Sequence, residues 1–379
     1  MSHLSFMEKL LEGVEVEWKS LGEVGEVRMC KRILKIQTSH EGEIPFYKIG
    51  TFGKEPDAYI PQKLFEEYKA KYNYPKVGEI LISASGTIGR TVIFDGKDAY
   101  FQDSNIVWIE NDERQVLNKY LFYFYQIAKW GVAEGGTIQR LYNENLRKLQ
   151  IPIPPLAIQA EIVRILDAFT AHTAELTAEL TARKKQYHYY RDQLLTFEEG
   201  EVEWKSLVEV AKIKHGKDWK KLGSGNVPVY GSGGIMTYVD TYSYDKPTVL
   251  IPRKGSITNI FYIEQPFWNV DTIYYTEIDD TKIIPKFFYY YMKTINLLEL
   301  DTGAGRPSLT QAILNKIEIP IPPLTEQARI VTILDKFDAL TNSISEGLPR
   351  EIALRQQQYE YYREKLLNFK CYDKNSSAK

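Results

Sequence analysis

Two stretches of the chain carry apolar side chains at steps of three and four residues, or sums of them, over a length that few globular elements reach. In the first, Ile158, Ile162, Ile165, Phe169, Leu176, Leu180, Tyr187, Tyr190, Leu194 and Phe197 fall on one stripe. In the second, the stripe runs through Ile330, Ile333, Phe337, Leu340, Ile344, Tyr359, Tyr362, Leu366 and Phe369. A stripe this narrow predicts a long helix that needs a similar partner. Pro155 suits the first turn of the first helix, where its missing N–H leaves nothing unpaired. At 1.5 Å per residue, the span from Pro155 to Phe197 makes a rod of roughly 65 Å. Asp167 precedes Tyr187 by 20 positions, whereas Asp335 precedes Tyr359 by 24. The extra residues surround Ser345-Glu-Gly-Leu-Pro349, where glycine and proline break or kink a helix. The first rod is thus expected to be continuous and the second kinked near Gly347–Pro349. An antiparallel pair buries both stripes and puts the two globular heads at opposite ends, related by a pseudo-twofold axis; the alternative is that each helix packs on its own head.

Outside the rods the period changes. Glu79-Ile-Leu-Ile-Ser83, Thr91-Val-Ile-Phe94, Asn105-Ile-Val-Trp108, Thr248-Val-Leu-Ile251, Asn259-Ile-Phe-Tyr262 and Thr272-Ile-Tyr-Tyr275 are short, β-branched or aromatic, and bounded by Gly, Asp or Pro. They predict strands. Residues 118–128 and 285–297 predict short helices, so each head is a mixed α/β domain.

The two halves are copies. Ile151-Pro-Ile-Pro-Pro-Leu156 returns 168 residues later as Ile319-Pro-Ile-Pro-Pro-Leu324, Glu15-Val-Glu-Trp-Lys-Ser-Leu21 returns as Glu201-Val-Glu-Trp-Lys-Ser-Leu207, and Gln186-Tyr-His-Tyr-Tyr-Arg191 as Gln358-Tyr-Glu-Tyr-Tyr-Arg363. Each unit reads as opening strand, head, proline hinge, long helix. Gly86-Thr-Ile88 parallels Gly255-Ser-Ile257, and the distances from these glycines to the proline block are 65 and 64 residues. From Trp18 to Gly86 there are 68 residues, but only 51 from Trp204 to Gly255. A shared scaffold with divergent loops suggests two recognition heads that read different things.

Length and composition fit two domains, with 379 residues and 44% hydrophobic content. A net charge of −2 argues against wholesale electrostatic attraction to nucleic acid or membranes and leaves room for local basic patches. Two cysteines, Cys30 and Cys371, make no disulfide framework, and no apolar run suits a signal peptide or a membrane span, so a reduced cytosolic protein is expected.

Candidate chemistry is sparse. Pro56-Asp57 followed by Glu67-Tyr68-Lys69 matches the spacing of a PD-(D/E)xK nuclease, whose carboxylates hold a divalent ion; but 61–71 reads as a short helix where that site needs a strand. Gly223-Ser-Gly225 and Gly231-Ser-Gly-Gly234 lack the Lys-Ser/Thr of a phosphate loop and read as turns. His3, His40, His172, His188 and His215 show no metal-ligand spacing. No adenine-methyltransferase Asn/Asp-Pro-Pro-Tyr is present. No cofactor is expected. Tyr187, Tyr189, Tyr190, Tyr359, Tyr361 and Tyr362 lie beside the seam and read as packing residues, some of them suited to docking partners at the rod ends.

In this order and spacing, the motifs resemble the specificity subunit of type I restriction-modification systems over essentially the whole chain. The Ile-Pro-Ile-Pro-Pro-Leu-x-x-Gln helix openings, Pro228-Val-Tyr-Gly-Ser-Gly-Gly-Ile235 and Arg253-Lys-Gly-Ser-Ile257 carry the resemblance. Thr173-Ala-Glu-Leu-Thr-Ala-Glu-Leu180 resembles the tandem repeat of the type IC branch. The resemblance implies target-recognition domains at 1–154 and 199–322, conserved-region helices at 155–198 and 323–370, and a tail at 371–379. It implies a non-catalytic subunit that reads a bipartite, asymmetric double-stranded DNA site, one half-site per head. Its helices would act as a ruler and dock two methyltransferase subunits, through which two restriction/translocase subunits join. Under that reading, side chains able to reach guanine edges and phosphates are the candidates for base or phosphate contact, and the glycines beside Arg90, Lys254 and Arg306 allow close backbone approach. In the first head these are Lys31, Arg32, Lys35, Arg90, Arg140 and Tyr142. In the second they are Lys214, His215, Lys217, Lys220, Arg253, Lys254 and Arg306.

Overall fold

The computed structural model describes residues 6–131, 140–198, 200–302, 305–343 and 345–369. The expected tail, Cys371, His3 and the seam position Ile344 lie outside the described residues. The chain forms two compact units, Met1–Glu175 with Ala353–Lys379, and Leu176–Ile352.

Both heads are built on the same two sheets. In the first, strands Glu26–Arg28, Ile106–Glu110, Ile80–Ser83 and Thr91–Ile93 lie in that order in a four-stranded antiparallel sheet, and Tyr59–Ile60, Ile44–Tyr47 and Tyr100–Phe101 form a three-stranded one. In the second, Ala211–Lys214, Ile273–Ile278, Thr248–Pro252 and Phe261–Ile263 reproduce the first order, and Gly234–Val239, Val227–Gly231 and Trp268–Asn269 reproduce the second. The six segments predicted as strands all lie in the four-stranded sheets. The run Gly231-Ser-Gly-Gly234 is the turn of a hairpin.

The central strand of each large sheet is buried on both faces, and for this reason it is a continuous apolar run. Alternation assigns its side chains. Ile80 and Ile82 join one core with helix Asn118–Tyr125, whereas Leu81 joins a second core with Phe46, Tyr100 and Trp108. In the second head Val249 and Ile251 pack with helix Pro285–Met292, and Leu250 faces Phe267 and Ile273.

The duplicated motifs turn out to be partners. Glu17–Ser20 pairs antiparallel with Gln150–Ile153, setting Trp18 opposite Pro152; Glu203–Ser206 pairs with Glu318–Ile321, setting Trp204 opposite Pro320. The proline block, expected as a hinge, is thus half strand. In a two-stranded ladder both strands are edges, where proline's missing N–H is tolerated.

The first rod is one helix, Leu156–Leu195, and the second is two, Leu324–Asn342 and Gly347–Leu367. In the first unit, Phe169 from the opening half of one rod stacks on Tyr362 from the closing half of the other, at 5.5 Å between ring centres. Leu366 and Leu367 bury in the same core as Ile162 and Leu166. The second rod therefore ends where the first begins, and within this unit the two run antiparallel. The second unit repeats the contact with roles exchanged, as Phe337 stacks on Tyr190 at 5.8 Å and contacts Tyr187 at 6.2 Å. These tyrosines are packing residues, while Tyr189 and Tyr361 are 59% and 56% exposed. No helix among the described residues is long and apolar enough to cross a membrane.

Candidate nucleic-acid interface

In the first head the loops bearing the predicted cations meet around two clefts. The Lys31 N–H donates to the Tyr100 hydroxyl at 3.1 Å, and its ammonium lies 5.2 Å from the centre of the Tyr72 ring. Its neighbour Cys30 faces the core, where burial pushes the thiol up to about 12. Arg32 and Lys35 share a cleft of about 360 Å³ with His40, Lys48, Gln102 and Asp103. Arg140 and Tyr142 line a neighbouring cleft of about 340 Å³ with Met29 and Ser104. The turn containing Asp103 and Ser104 has residues in both clefts. Ser104 holds φ +60, a left-handed conformation that non-glycine residues rarely adopt, and its carbonyl accepts from the Arg140 guanidinium at 3.5 Å. Arg90 does not join this group, because its guanidinium is spent on the Phe52 carbonyl at 2.9 Å.

The second head gathers most of its candidates around the loop at Gly255, which corresponds to the Gly86 loop of the first head. Gly255 N–H donates to the Pro307 carbonyl at 3.1 Å, which sets Arg306 beside Lys254. Arg253 donates to the Asp271 carbonyl at 3.2 Å. The His215 ring meets Tyr274 edge-on at 5.0 Å, and the Tyr274 hydroxyl donates to the Leu309 carbonyl at 3.3 Å. Burial raises the pKa of that hydroxyl, and Arg253 works against the rise. Lys217 is anchored through its backbone, its N–H on the Asn269 carbonyl and its own carbonyl on the Trp268 indole. Lys220 stands apart, on a turn closed by the Leu222 N–H and the Trp219 carbonyl. Lys214 is ion-paired with Glu277 at 3.2 Å. Residues that charge and glycine spacing did not single out, Ser104, Asn105, Asp271 and Thr272, complete both sites, because strand pairing alone brings their turns to the glycine loops.

The nuclease pattern does not assemble. Asp57 pairs with Lys48 at 2.9 Å, Glu67 with Lys71 at 3.0 Å on helix Gln62–Lys71, and Lys69 with Asp98 at 3.0 Å. These are three separate surface ion pairs, and no cluster of metal-ligating side chains occurs among the described residues.

One strand frame repeated with different loop chemistry, each copy joined to a rod, defines a two-headed recognition protein. The chain belongs to the type I restriction-modification DNA specificity family, whose profile matches residues 13–183 and again 199–354. It is 38% identical to the specificity subunit of the type I restriction enzyme EcoR124I/EcoR124II of Escherichia coli, covering 97% of this chain and 98% of that one. A putative type I specificity subunit of Haemophilus influenzae is 65% identical over 197 residues, about half the length of each chain. Among solved structures, the S subunit of a type I system from M. genitalium superposes with a TM-score of 0.61 at 20% identity, covering 97% of this chain and all of that one, a likeness of fold.

Proposed function

We propose that the chain reads a bipartite, asymmetric double-stranded DNA sequence, the first head contacting one half-site and the second head the other. As a specificity subunit it catalyses nothing itself. Methylation and cleavage come from two methyltransferase subunits and two restriction/translocase subunits that assemble on it. The observation that carries the reading is the repetition of one sheet order in both heads with unlike side chains on the loops. Equal frames approach equal grooves, and unlike loops find unlike base edges there.

The reading places target-recognition domains at 1–154 and 199–322 and conserved-region helices at 155–198 and 323–370. Arg32, Lys35, Arg140 and Tyr142 in the first head, and His215, Lys217, Lys254 and Arg306 in the second, are the strongest candidates for contact with DNA. Lys31 and Lys220 fit phosphate contacts at the edge. Arg90, Lys214 and Arg253 fit supporting roles, since their charges are already engaged. The Thr-Ala-Glu-Leu repeat favours the type IC branch, and the cytoplasm is the compartment in which such a complex meets DNA.

The test is methylation mapping of a genome in cells that hold the partner subunits, with and without this chain. A bipartite, interrupted motif that is modified only when the chain is present supports the proposal. Modification with no sequence preference, or none dependent on the chain, overturns it.

A further inference from the structure

In each head a single isolated β-bridge ties the glycine loop to the segment leading into the proline block, Ser85 with Arg140 in the first and Lys254 with Ser308 in the second. The flanking backbone is the same. Leu141 N–H donates to the Ala84 carbonyl and Leu309 N–H to the Arg253 carbonyl, both at 2.8 Å, while Ala84 N–H reaches Asn105 and Arg253 N–H reaches Thr272. Ser85 and Lys254 are therefore equivalent positions, and so are Arg140 and Ser308. Each bridge sets one serine against one long cation, but the cation stands on opposite strands.

The serine side is fixed and the cation side is free. The Ser85 hydroxyl donates to Asn105 Oδ1 at 2.8 Å, and Ser308 N–H donates to Asp301 Oδ1 at 2.7 Å. Among the described residues, the Arg140 guanidinium makes only the long contact to the Ser104 carbonyl and Lys254 has no salt bridge. Both cations are exposed. A cation whose backbone is pinned and whose head group is uncommitted can donate to the acceptor edge of a guanine at little further cost in order.

We propose that this bridge is the base-reading element of each head, with Arg140 and Lys254 each fixing the preference at one position of its half-site. This rests on the reading of the chain as a bipartite DNA-recognition subunit. Facing side chains across an antiparallel pair are about 5 Å apart, and a base-pair step is about 3.4 Å. Exchanging cation and serine across the bridge therefore moves the charge by one to two base pairs, and one backbone frame reads two registers.

The test uses the assembled complex with its methyltransferase subunits and a panel of duplexes carrying every single base-pair substitution of the mapped site. Arg140→Ala relaxes discrimination at one base pair of the half-site read by the first head, by about tenfold or more, and leaves the other half-site unchanged. Lys254→Ala does the converse, while Lys254→Arg, which keeps the charge, retains discrimination. The exchange Lys254→Ser with Ser308→Lys moves the discriminated position by one or two base pairs. A uniform loss across the whole panel marks phosphate contacts and overturns the proposal. So does unchanged discrimination in Arg140→Ala or Lys254→Ala. Either result leaves the bipartite site of the unaltered complex, and with it the functional reading, in place.

Discussion

Gln159 and Gln327 explain why a glutamine three residues after the proline block appears in both copies. Each is wholly buried, and each closes three backbone groups that would otherwise be stranded at the joint between head and rod. The Gln159 amide donates to the Pro154 and Gln115 carbonyls, both at 2.8 Å, and its oxygen accepts from Leu117 N–H at 2.9 Å. Gln327 does the same with Pro322, Lys282 and Ile284. About two turns later, Asp167 accepts from the Tyr123 hydroxyl at 2.7 Å and from Lys119, and Asp335 accepts from Tyr290 at 2.7 Å and Lys286 at 2.9 Å. Replacing Gln159 by leucine keeps the volume but leaves two carbonyls and an N–H unpaired, each worth about 1 kcal/mol or more. Gln159→Leu is expected to lower stability by about 3 kcal/mol in urea unfolding, and Gln327→Leu by a similar amount. A loss under about 1 kcal/mol in either would mean that water reaches the joint.

The two rods differ in sequence by four residues between aspartate and tyrosine, and residues 343–346, which separate the helices of the second rod, number four. The two helices of the second rod together supply as many helical residues between Asp335 and Tyr359 as the single helix supplies between Asp167 and Tyr187, so both rods keep the same helical length between the head-anchoring aspartate and the seam tyrosine. Gly347 makes this possible. It sits at φ +73, and a Cβ there would lie 2.3 Å from the Ala339 carbonyl oxygen. The left-handed conformation alone costs a side chain roughly 1–2 kcal/mol. Gly347→Ala should therefore destabilise by about 2 kcal/mol or more, seen as a lower midpoint in chemical denaturation. The break was legible because glycine and proline act locally, as were the rods and the central strands, whose periods are complete within a short window. The opening-strand ladder, with partners about 130 residues apart, and the two-residue strands Tyr59–Ile60 and Tyr100–Phe101 were not. Their pairing is a property of the fold and not of the local pattern. The site divides in the same way: Arg140 by its charge, and Lys254 and Arg306 by charge and a neighbouring glycine, were legible, whereas Ser104 and Thr272 owe their place to turns fixed by neighbouring strands. Charge alone also selected Arg90 and Lys214, whose head groups are engaged within the head.

At the scale of the whole molecule, the covalent link between the heads is the first rod, and its central Thr-Ala-Glu-Leu repeats are built so that length can change without a change of surface. Leu176 and Leu180 are half-buried on the seam, and the alanines and glutamates between them face solvent. No residue of the repeat belongs to either head's core. One further unit after Leu180 adds about 6 Å and advances the helix by about 40° beyond a full turn. A step along B-DNA is about 3.4 Å, with about 34–36° of rotation implied by 10–10.5 base pairs per turn. The lengthened rod is thus expected to recognise the same two half-sites with a spacer one or two base pairs longer. Methylation mapping of the variant complex checks this. An unchanged spacer would mean that the rod does not set the distance between the readers. An altered half-site would mean that the inserted turn reaches the heads, which the absence of repeat residues from both cores argues against.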